Sequence, residues 1–559
     1  MLNESLSTSR ERTSLSKTLK NRTFFALIVS QFLAAFNDQA INASAMFFAI
    51  HSRTLTEEQA ISLMPVLFYT PWFLFVTLAG YFADRYSKRN ALVFWKLAEI
   101  VITAIALAGF WFGQAEGVTL VLSTVFFMGM HAAFFGPAKY GIMPEILEPE
   151  LLSRGNGYLE SFSFLGTILG SICGGVFSFL FQGSEWIIGI ILGSLALIGF
   201  FVSLQLQKIP AANPQRPFPR YIYFPLIQNF RHVLATRDLL FAIVGIAFFT
   251  FVVTFLRATV YMFGESQSPR WDELKTSAVV GTVACGLGLG CPLAGWLSGK
   301  KIELGLIPIG ALGIAIGCLL ASLFTASLSG LIFSTVLIGF STSFFLVPLF
   351  SLLQYSAART SKGEMFAISN FVDVGGAVLS SVLFLGCVAV SKRVELAPEV
   401  AMKELASNQN FLKVELREGR PVQVTLGEGE NITQYGQPAG EVASVVSRIF
   451  RPVEAEQLII TIDSGVTPGS RVAVWEYRIG NVKHLVVAPE GRLTKSAYDF
   501  RKLPPYLFGT AGVLALIMLL VLRKIMPDLF RQTLRFIAGS RESSSAWPTA
   551  TAPVRPDGP

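Results

Sequence analysis

About twelve long apolar stretches constrain the fold of this chain more than any other feature. A helix needs about 20 apolar residues to cross the roughly 30 Å hydrocarbon core of a bilayer. Such stretches occupy residues 24–50, 61–83, 91–112, 118–139, 157–181, 185–204, 238–264, 274–298, 304–325, 328–354, 365–390 and 504–525. With 52% hydrophobic and 15% charged residues, the chain is predicted to be an all-α polytopic membrane protein.

Lysine and arginine are distributed unequally between the loops, which predicts the orientation in the membrane. Counted from a cytoplasmic N-terminus, the inside loops hold Arg85, Lys88, Arg89, Arg154, Lys208, Arg216, Arg220, Arg231, Arg237, Lys300, Lys301, Arg359 and Lys362. The short outside loops hold only Arg53, Arg270 and Lys275. Both termini are therefore expected in the cytoplasm, and the net charge of +8 does not indicate a nucleic-acid partner because no soluble basic domain is visible.

The two ends of the chain are expected to be tails. Residues 1–22 are basic and rich in Ser and Thr, which predicts a disordered cytoplasmic segment. The first apolar span is too long for a secretory signal and no small-residue cleavage site follows it. The C-terminal tail, 526–559, starts basic and is predicted to be disordered beyond Ser540.

The spans divide into two groups of six. A linker rich in Pro and Arg, 205–237, separates an N-terminal bundle, 23–204, from helices 7–11 in 238–391 and helix 12 in 504–525. The Phe-Phe-Gly-Pro sequence at 134–137 is echoed by Phe-Phe-Leu-Val-Pro at 344–348. This organisation resembles the 12-helix major-facilitator fold, in which two halves rock about a midplane site.

The loop between the second and third spans carries a motif, Gly-Tyr-Phe-Ala-Asp-Arg-Tyr-Ser-Lys-Arg, at 80–89. It resembles the cytoplasmic loop signature of the major facilitators. We expect Gly80 to permit close helix approach and Asp84 to hold a neighbouring helix by charge-assisted bonds. The resemblance assigns Gly80, Asp84, Arg85 and Arg89 to gating, whereas the corresponding loop at 295–301 lacks the acid.

Three further stretches are similar to the lysophospholipid transporter family within the major facilitators. They are Gln-Phe-Leu-Ala-Ala-Phe-Asn-Asp-Gln-Ala at 31–40, Pro-Ala-Lys-Tyr-Gly at 137–141 with Asn-Gly-Tyr-Leu-Glu at 156–160, and the segment 344–354. The resemblance implies a carrier that moves lysophospholipids across the bacterial inner membrane towards the cytoplasm, where they are reacylated.

Charges inside the spans suggest how such a substrate is held. An acid or base at bilayer depth costs roughly 2.5–3.5 kcal/mol on insertion scales, so it is seldom kept without a task. Asp38, with Asn37 beside it as a further substrate-binding residue, is expected to bind the headgroup ammonium, and Arg257 the phosphate. Lys139 is expected to receive the departing headgroup, with Glu160 as its partner.

Each of these residues has a structural alternative. Lys139 fits a side chain that reaches the inner headgroup layer. Asp38 fits a proton-coupling acid or a buried acceptor, and Arg257 fits a direct ion pair with Asp38. Glu160 fits an acid at a helix contact.

Other polar residues in the spans carry less information. Lys96 and Glu99, three positions apart, predict a local ion pair. Asp373 is expected either at a helix contact or facing the cavity. The five cysteines are expected to be small buried hydrophobes, and the four histidines are scattered, so no metal or cofactor is expected.

About 110 residues, 392–503, separate the last two spans and are expected in the periplasm. The insert begins with a helix-like pattern, Ala401 to Leu412. It continues with strand-like alternation at 421–426, 457–462, 471–477 and 484–487. We interpret it as a small β-rich domain over the outer mouth. It serves either to dock a partner or lipid, or as a decoration without a transport role.

Two rival functions remain open. A membrane-bound acyltransferase would need a His-x4-Asp pair, and none of the four histidines has one. The chain is therefore not expected to be an enzyme, and any linked acylation would come from a separate cytoplasmic acyltransferase. The second rival is a proton-coupled exporter of amphipathic drugs that uses Asp38 as its proton site.

Overall fold

The computed structural model describes residues 18–538, apart from 53, 56, 219–223, 268–270, 272, 300, 418–419, 429–430, 437–457, 464–465, 481 and 491–496. The predicted disorder beyond Ser540 therefore falls outside the described residues, as does most of the predicted tail 1–22.

The first half contains seven helices in the described part of the chain. They are α1 (Arg22–His51), α2 (Glu57–Leu74), α3 (Val76–Arg85), α4 (Lys88–Phe112), α5 (Gln114–Ile146), α6 (Leu152–Leu180) and α7 (Trp186–Ser203). A short helix in the linker, α8 (Phe224–Ala235), precedes the second half. This helix is not predicted from the sequence.

The second half consists of α9 (Arg237–Glu265), α10 (Glu273–Leu297), α11 (Leu306–Leu323), α12 (Leu328–Ser356), α13 (Lys362–Arg393) and α14 (Pro504–Ile525). Eleven of the described helices are long and apolar enough to cross a membrane, and the bent pair α2–α3 supplies a twelfth span. The prediction of a 12-helix fold is confirmed.

The second span is broken rather than continuous over 61–83. The segments on either side of Phe75 meet at 55°, and Phe75 itself has a non-helical backbone (φ −105°, ψ 9°). Two prolines, Pro65 and Pro71, lie inside α2. Proline lacks the N–H donor of the helical ladder and clashes with the preceding turn, which explains the weakness of the helix before the break.

The two halves meet along α6 with α10 and along α3 with α13. A methyl group added to Gly157 of α6 would lie 2.4 Å from the carbonyl oxygen of Cys291 in α10. Only glycine permits that backbone approach. We call the end of the bundle that carries the linker the linker side, and the opposite end the insert side.

The insert is β-rich, as predicted. Its strands are β1 (Glu399–Val400), β2 (Lys403–Arg417), β3 (Arg420–Glu428), β4 (Asn431–Gly436), β5 (Leu458–Ile462), β6 (Arg471–Ile479), β7 (Val482–Pro489) and β8 (Ala497–Tyr498). Six of them form one sheet in the order β4-β3-β2-β6-β7-β5. Within it β5 and β7 run parallel, and the other neighbours are antiparallel.

The helix-like start predicted over Ala401 to Leu412 is wrong, because this segment lies mainly in strand β2. The strand pairs with β3 on one edge and β6 on the other, and Phe411 enters the core of the insert. Register shifts in its pairing with β6 interrupt the two-residue alternation of side chains. A bulged strand of this kind loses the periodicity by which strands are recognised.

The chain enters and leaves the insert through one pair of strands. Val400 of β1 is the register partner of Ala497 of β8, and the Asp499 N–H donates to the Pro398 carbonyl at 3.0 Å. The insert is therefore closed at its base, directly above α13 and α14.

A final helix, α15 (Pro527–Ile537), follows α14 on the linker side. Its Thr533 hydroxyl donates to the Gly305 carbonyl at 2.8 Å, which holds α15 against the start of α11. The first part of the predicted C-terminal tail is thus a docked helix.

Truncation of a side chain in the core of the insert tests its independence from the bundle. Leu485 of β7 is 2% exposed, so Leu485→Ala is expected to lower the free energy of unfolding of the insert by about 2–5 kcal/mol. The measurement is limited proteolysis of the full chain, with cleavage sites mapped by mass. Ile432→Ala, at a 56% exposed position of β4, is the control. Equal proteolysis of the two variants would contradict the assignment of Leu485 to the core of the insert.

Candidate functional site

Asp84, at the end of α3, joins the two halves on the linker side. Its carboxylate accepts the backbone N–H groups of Gly363 and Glu364 at 2.8 and 3.0 Å. Both donors belong to the first turn of α13, where unpaired N–H groups and the helix dipole favour an anion. A methyl group on Gly80 would lie 2.8 Å from the Glu364 Cα, so a larger residue would separate the helices.

The linker adds an arginine to this contact. Arg216 places one guanidinium nitrogen 3.1 Å from the Asp84 carboxylate and another 2.6 Å from that of Glu364. Asn229 of α8 donates to the other oxygen of Glu364. The sequence identifies Arg216 only as a cation of an inside loop, because nothing in its neighbourhood indicates which carboxylates it meets.

The two arginines of the motif at 80–89, Arg85 and Arg89, lie outside this contact. Arg89 donates to the carbonyls of Leu206 and Leu204 at 3.3 and 3.4 Å, where the first half passes into the linker. Within the described part of the chain, Arg85 forms no ion pair. The structure therefore brings Gly80 and Asp84 to the boundary between the halves, and the gating role of all four motif residues stays a prediction.

A pair of amides forms a second layer of contact. Asn156 of α6 donates to the Gln354 side-chain oxygen at 2.7 Å, and Gln354 of α12 donates back to Asn156 at 2.9 Å. Asn156 also donates to Ser351 at 3.1 Å. Both amides are fully buried, and reciprocal bonds satisfy groups that would otherwise be costly to bury.

Tyr140 forms a third layer. Its ring lies between Phe350 and Phe366 of the second half, with centroids 4.7 and 4.9 Å away and planes 11° apart. Its hydroxyl donates to Glu160 at 2.7 Å. Lys139 lies over the same ring, 4.2 Å from its centroid. Glu160 is thus bonded to Tyr140, and its attraction to Lys139 acts without a contact inside 4 Å.

Asp38 belongs to a buried polar cluster in the first half. His131 of α5 lies 3.7 Å from Asp38 and 3.6 Å from Glu99. The predicted Lys96–Glu99 pair is confirmed at 2.5 Å. Asn37 is fully buried and donates to Glu99 at 2.7 Å. The sequence does not reveal His131, since a lone histidine in an apolar span carries no signal of its partners.

Arg257 lies past the middle of α9 and is exposed. It shares one helical face with Thr250, Thr254 and Tyr261, because these residues are spaced by three or four positions. Its guanidinium lies over the Tyr261 ring, 5.8 Å from the centroid. A polar stripe of this kind is unfavourable against lipid tails, so we expect it to face the interior between the halves.

The two charges singled out in the sequence are not paired with each other. Among the described residues, Arg257 forms no ion pair, and the basic side chain nearest to the carboxylate of Asp38 is His131. The alternative of a direct ion pair between Asp38 and Arg257 is therefore not the arrangement found. Asp38 and Arg257, an acid and a base on opposite halves, can therefore each bind a third group.

Asp373 and the cysteines are the remaining candidates in the spans. Asp373 of α13 has a buried carboxylate oxygen without a hydrogen-bond partner and lies within electrostatic range of Tyr140. Cys291 and Cys318 are buried, as expected, whereas the other three cysteines are half-buried or exposed (Cys173, Cys387 and Cys285). In the described part of the chain, no group of three His, Cys, Asp or Glu side chains is placed to hold a metal ion.

Comparison with known proteins points to a family of membrane transporters. The sequence profile of the Major Facilitator Superfamily matches residues 27–381. The lysophospholipid transporter LplT of Cronobacter sakazakii is 28% identical over 384 residues, covering 68% of this chain and 91% of the relative. LplT of an Enterobacter species is 27% identical, covering 65% and 87%.

Solved structures show the same fold. The human organic anion transporter MFSD10 aligns with a TM-score of 0.53 at 15% identity, covering 65% of this chain and 94% of the transporter. FucP, a transporter crystallised in the outward conformation, aligns with a TM-score of 0.52 at 14% identity, covering 66% and 92%.

Two six-helix bundles joined by a linker, with a polar boundary between them, define a membrane transporter. The chain belongs to the Major Facilitator Superfamily. The relatives confirm the predicted resemblance to lysophospholipid transporters. The matched segment ends before the β-rich insert.

Loss of the Asp84 contact is expected to favour opening of the linker side. Cys291 is fully buried where α10 meets α6, so its alkylation in a variant lacking the other four cysteines reports opening. Asp84→Asn and Arg216→Ala are each expected to raise the labelling rate about 5- to 150-fold, since such couplings amount to about 1–3 kcal/mol.

Arg531→Ala is the matched control, because this exposed arginine pairs with Asp528 of its own helix α15. It is expected to label at the rate of the parent protein. Unchanged labelling in Asp84→Asn and Arg216→Ala would show that the contact does not hold the halves together.

Proposed function

We propose that this transporter moves lysophospholipids across the bacterial inner membrane, from the outer leaflet inward for reacylation, by alternating access. The observation that carries the proposal is the exposed Arg257 on a polar stripe of α9, where it forms no ion pair with any residue that the structure describes. An arginine in that position needs an anion, and the relatives named as lysophospholipid transporters suggest which one.

The chemistry of a lysophospholipid fits the two halves. Its phosphate suits the planar donor fork of Arg257. An ammonium in its headgroup suits the carboxylate of Asp38 on the opposite half. Its single acyl chain needs apolar walls, which a chain with 48 phenylalanines can supply. Binding between the halves would thus draw them together around the headgroup.

Release towards the linker side requires the three layers of contact to separate. When α3 leaves α13, the Asn156–Gln354 pair and the stack of Tyr140 on Phe350 and Phe366 must part as well. In our proposal, Tyr140 then releases Glu160, and Lys139 receives the phosphate as it passes. Asn37 contributes to this path through its hydrogen bond to Glu99.

The proposed direction sets the orientation. The linker side and both termini lie in the cytoplasm, in agreement with the distribution of Lys and Arg. The insert side faces the periplasm, and reacylation falls to a separate cytoplasmic acyltransferase. The functional units are the two bundles, the linker 205–237 and the insert 392–503.

A second candidate is a proton-coupled exporter of amphipathic drugs. The observation that favours it is the contact of His131 with Asp38 at 3.7 Å, because a histidine beside a carboxylate suits proton exchange. An uncoupler separates the two. A lipid facilitator is insensitive to it, whereas an exporter loses drug efflux with the gradient and also in Asp38→Asn.

Arg257→Ala is expected to reduce lysophospholipid uptake about 10- to 100-fold, because charge-assisted hydrogen bonds contribute about 1.5–3 kcal/mol. Arg257→Lys keeps the charge but not the fork and should be intermediate. The measurement is entry of labelled lysophosphatidylethanolamine from the outer leaflet of proteoliposomes, with and without an uncoupler.

Arg523→Ala serves as the control, since this exposed arginine lies in the last turn of α14 on the linker side. It should transport at the parental rate. Parental uptake by Arg257→Ala would remove the basis of the proposal.

We further propose that the insert docks a periplasmic partner or lipid over the outer mouth. Replacing residues 401–496 with an Asn-Gly turn between Val400 and Ala497 preserves the strand pair that closes its base. Transport in purified proteoliposomes is expected to persist, while a partner recovered with the parent after crosslinking in cells should be lost. Unchanged recovery and unchanged cellular uptake would support a decoration without a role in transport.

A further inference from the structure

His131 occupies an unusual position for a histidine in a membrane span. Its imidazole is fully buried and its two nitrogens face two carboxylates, with Nδ1 3.7 Å from Asp38 and Nε2 3.6 Å from Glu99. It stacks on Phe135 with ring centroids 5.4 Å apart and meets Trp95 edge-on. The aromatic neighbours fix the ring between the two acids.

Several polar atoms around this ring lack a hydrogen-bond partner. They are both imidazole nitrogens, the Asp38 Oδ1 and the Asn37 Oδ1. Glu99, by contrast, is already bonded to Lys96 at 2.5 Å and to Asn37 at 2.7 Å. Asp38 is therefore the acid of the cluster whose charge is open to a new partner.

An ionised Asp38 leaves a negative charge in the cluster that lacks a close cation. Lys96 and Glu99 neutralise each other as a pair, and the attraction of Lys139 for Asp38 acts without an ion pair inside 4 Å among the described residues. Uncompensated charge is costly in this environment. Protonation of Asp38 removes the charge, whereas a proton on His131 or an ammonium group on the substrate pairs with it.

We propose that His131 determines specificity for the headgroup, because its protonated ring and a substrate ammonium are alternative partners of Asp38. The inference rests on the proposed lysophospholipid transport and extends it. A zwitterionic substrate displaces the proton from His131 when its ammonium reaches Asp38. A substrate without an ammonium leaves that proton in place and is bound through its phosphate at Arg257.

Among the charged groups around His131, we expect Asp38 to be the one that changes its partner. Helix α4 contributes Lys96 and Glu99, and α1 contributes Asp38. Lys139, on the same helix as His131, acts on Asp38 and is itself influenced by Glu160 of α6. Asp373 of α13 acts on Tyr140, and Asp84 lies at the distant end of α3. Neither α2 nor α12 brings a charged side chain to the ring in the described part of the chain.

The sign of the pH effect follows from competition. Lowering the pH favours protonated His131, which occupies Asp38 and excludes the ammonium. The concentration of zwitterionic lipid needed for half-maximal transport should therefore rise as pH falls, by at most tenfold per pH unit for one competing proton. A lipid that carries only a phosphate should not show this rise.

The test compares lysophosphatidylethanolamine with lysophosphatidylglycerol in proteoliposomes of the full chain, between about pH 8 and 5.5. In the parent, the half-maximal concentration should rise several-fold for the first lipid and stay level for the second. In His131→Gln the two lipids should share one flat profile. His232→Gln, at an exposed position of α8, is the matched control and should behave as the parent.

If His131→Gln fails to fold, His131→Asn takes its place, because protonation of Asp38 itself would also produce the rise in the parent. Parallel pH profiles for the two lipids in the parent would overturn the inference, as would a parental profile in the folded His131 variant. Transport of neither lipid by the parent would overturn the proposed function itself, together with this inference.

Discussion

The structure depends on a buried carboxylate at the start of a helix in the opposite half. Asp84 satisfies two N–H groups of the first turn of α13 and meets the helix dipole there, while Arg216 balances its charge. The contact is lost when the halves separate, because Asp84 and the two N–H groups belong to different bundles. The amide pair and the Tyr140 stack lie behind this contact and are brought together by it.

The two halves use charge in different ways. The first half keeps its acids and bases within a connected cluster, in which Lys96, Glu99, Asn37 and His131 surround Asp38. The second half exposes Arg257 on a polar stripe, where its guanidinium lies over the Tyr261 ring. An amphiphile with both signs of charge can complete the two sites at once, whereas a purely apolar molecule completes neither.

The sequence predicted the features that depend on local pattern. Hydropathy yields the twelve spans, the motif at 80–89 indicates Asp84, and the three-residue spacing predicts the Lys96–Glu99 pair. Features that depend on tertiary placement were missed. His131 and Arg216 act through partners distant in sequence, the bend at Phe75 follows from prolines within a span, and β2 conceals its alternation behind register shifts.

The closed base of the insert couples it mechanically to one bundle. Both α13 and α14 belong to the second half, and the β1–β8 pair fastens the sheet to their adjoining ends. Any rocking of that half relative to the first must carry the six-stranded sheet with it as a lever arm. A small rotation of that half would thus become a larger displacement of the whole insert at the insert side of the bundle.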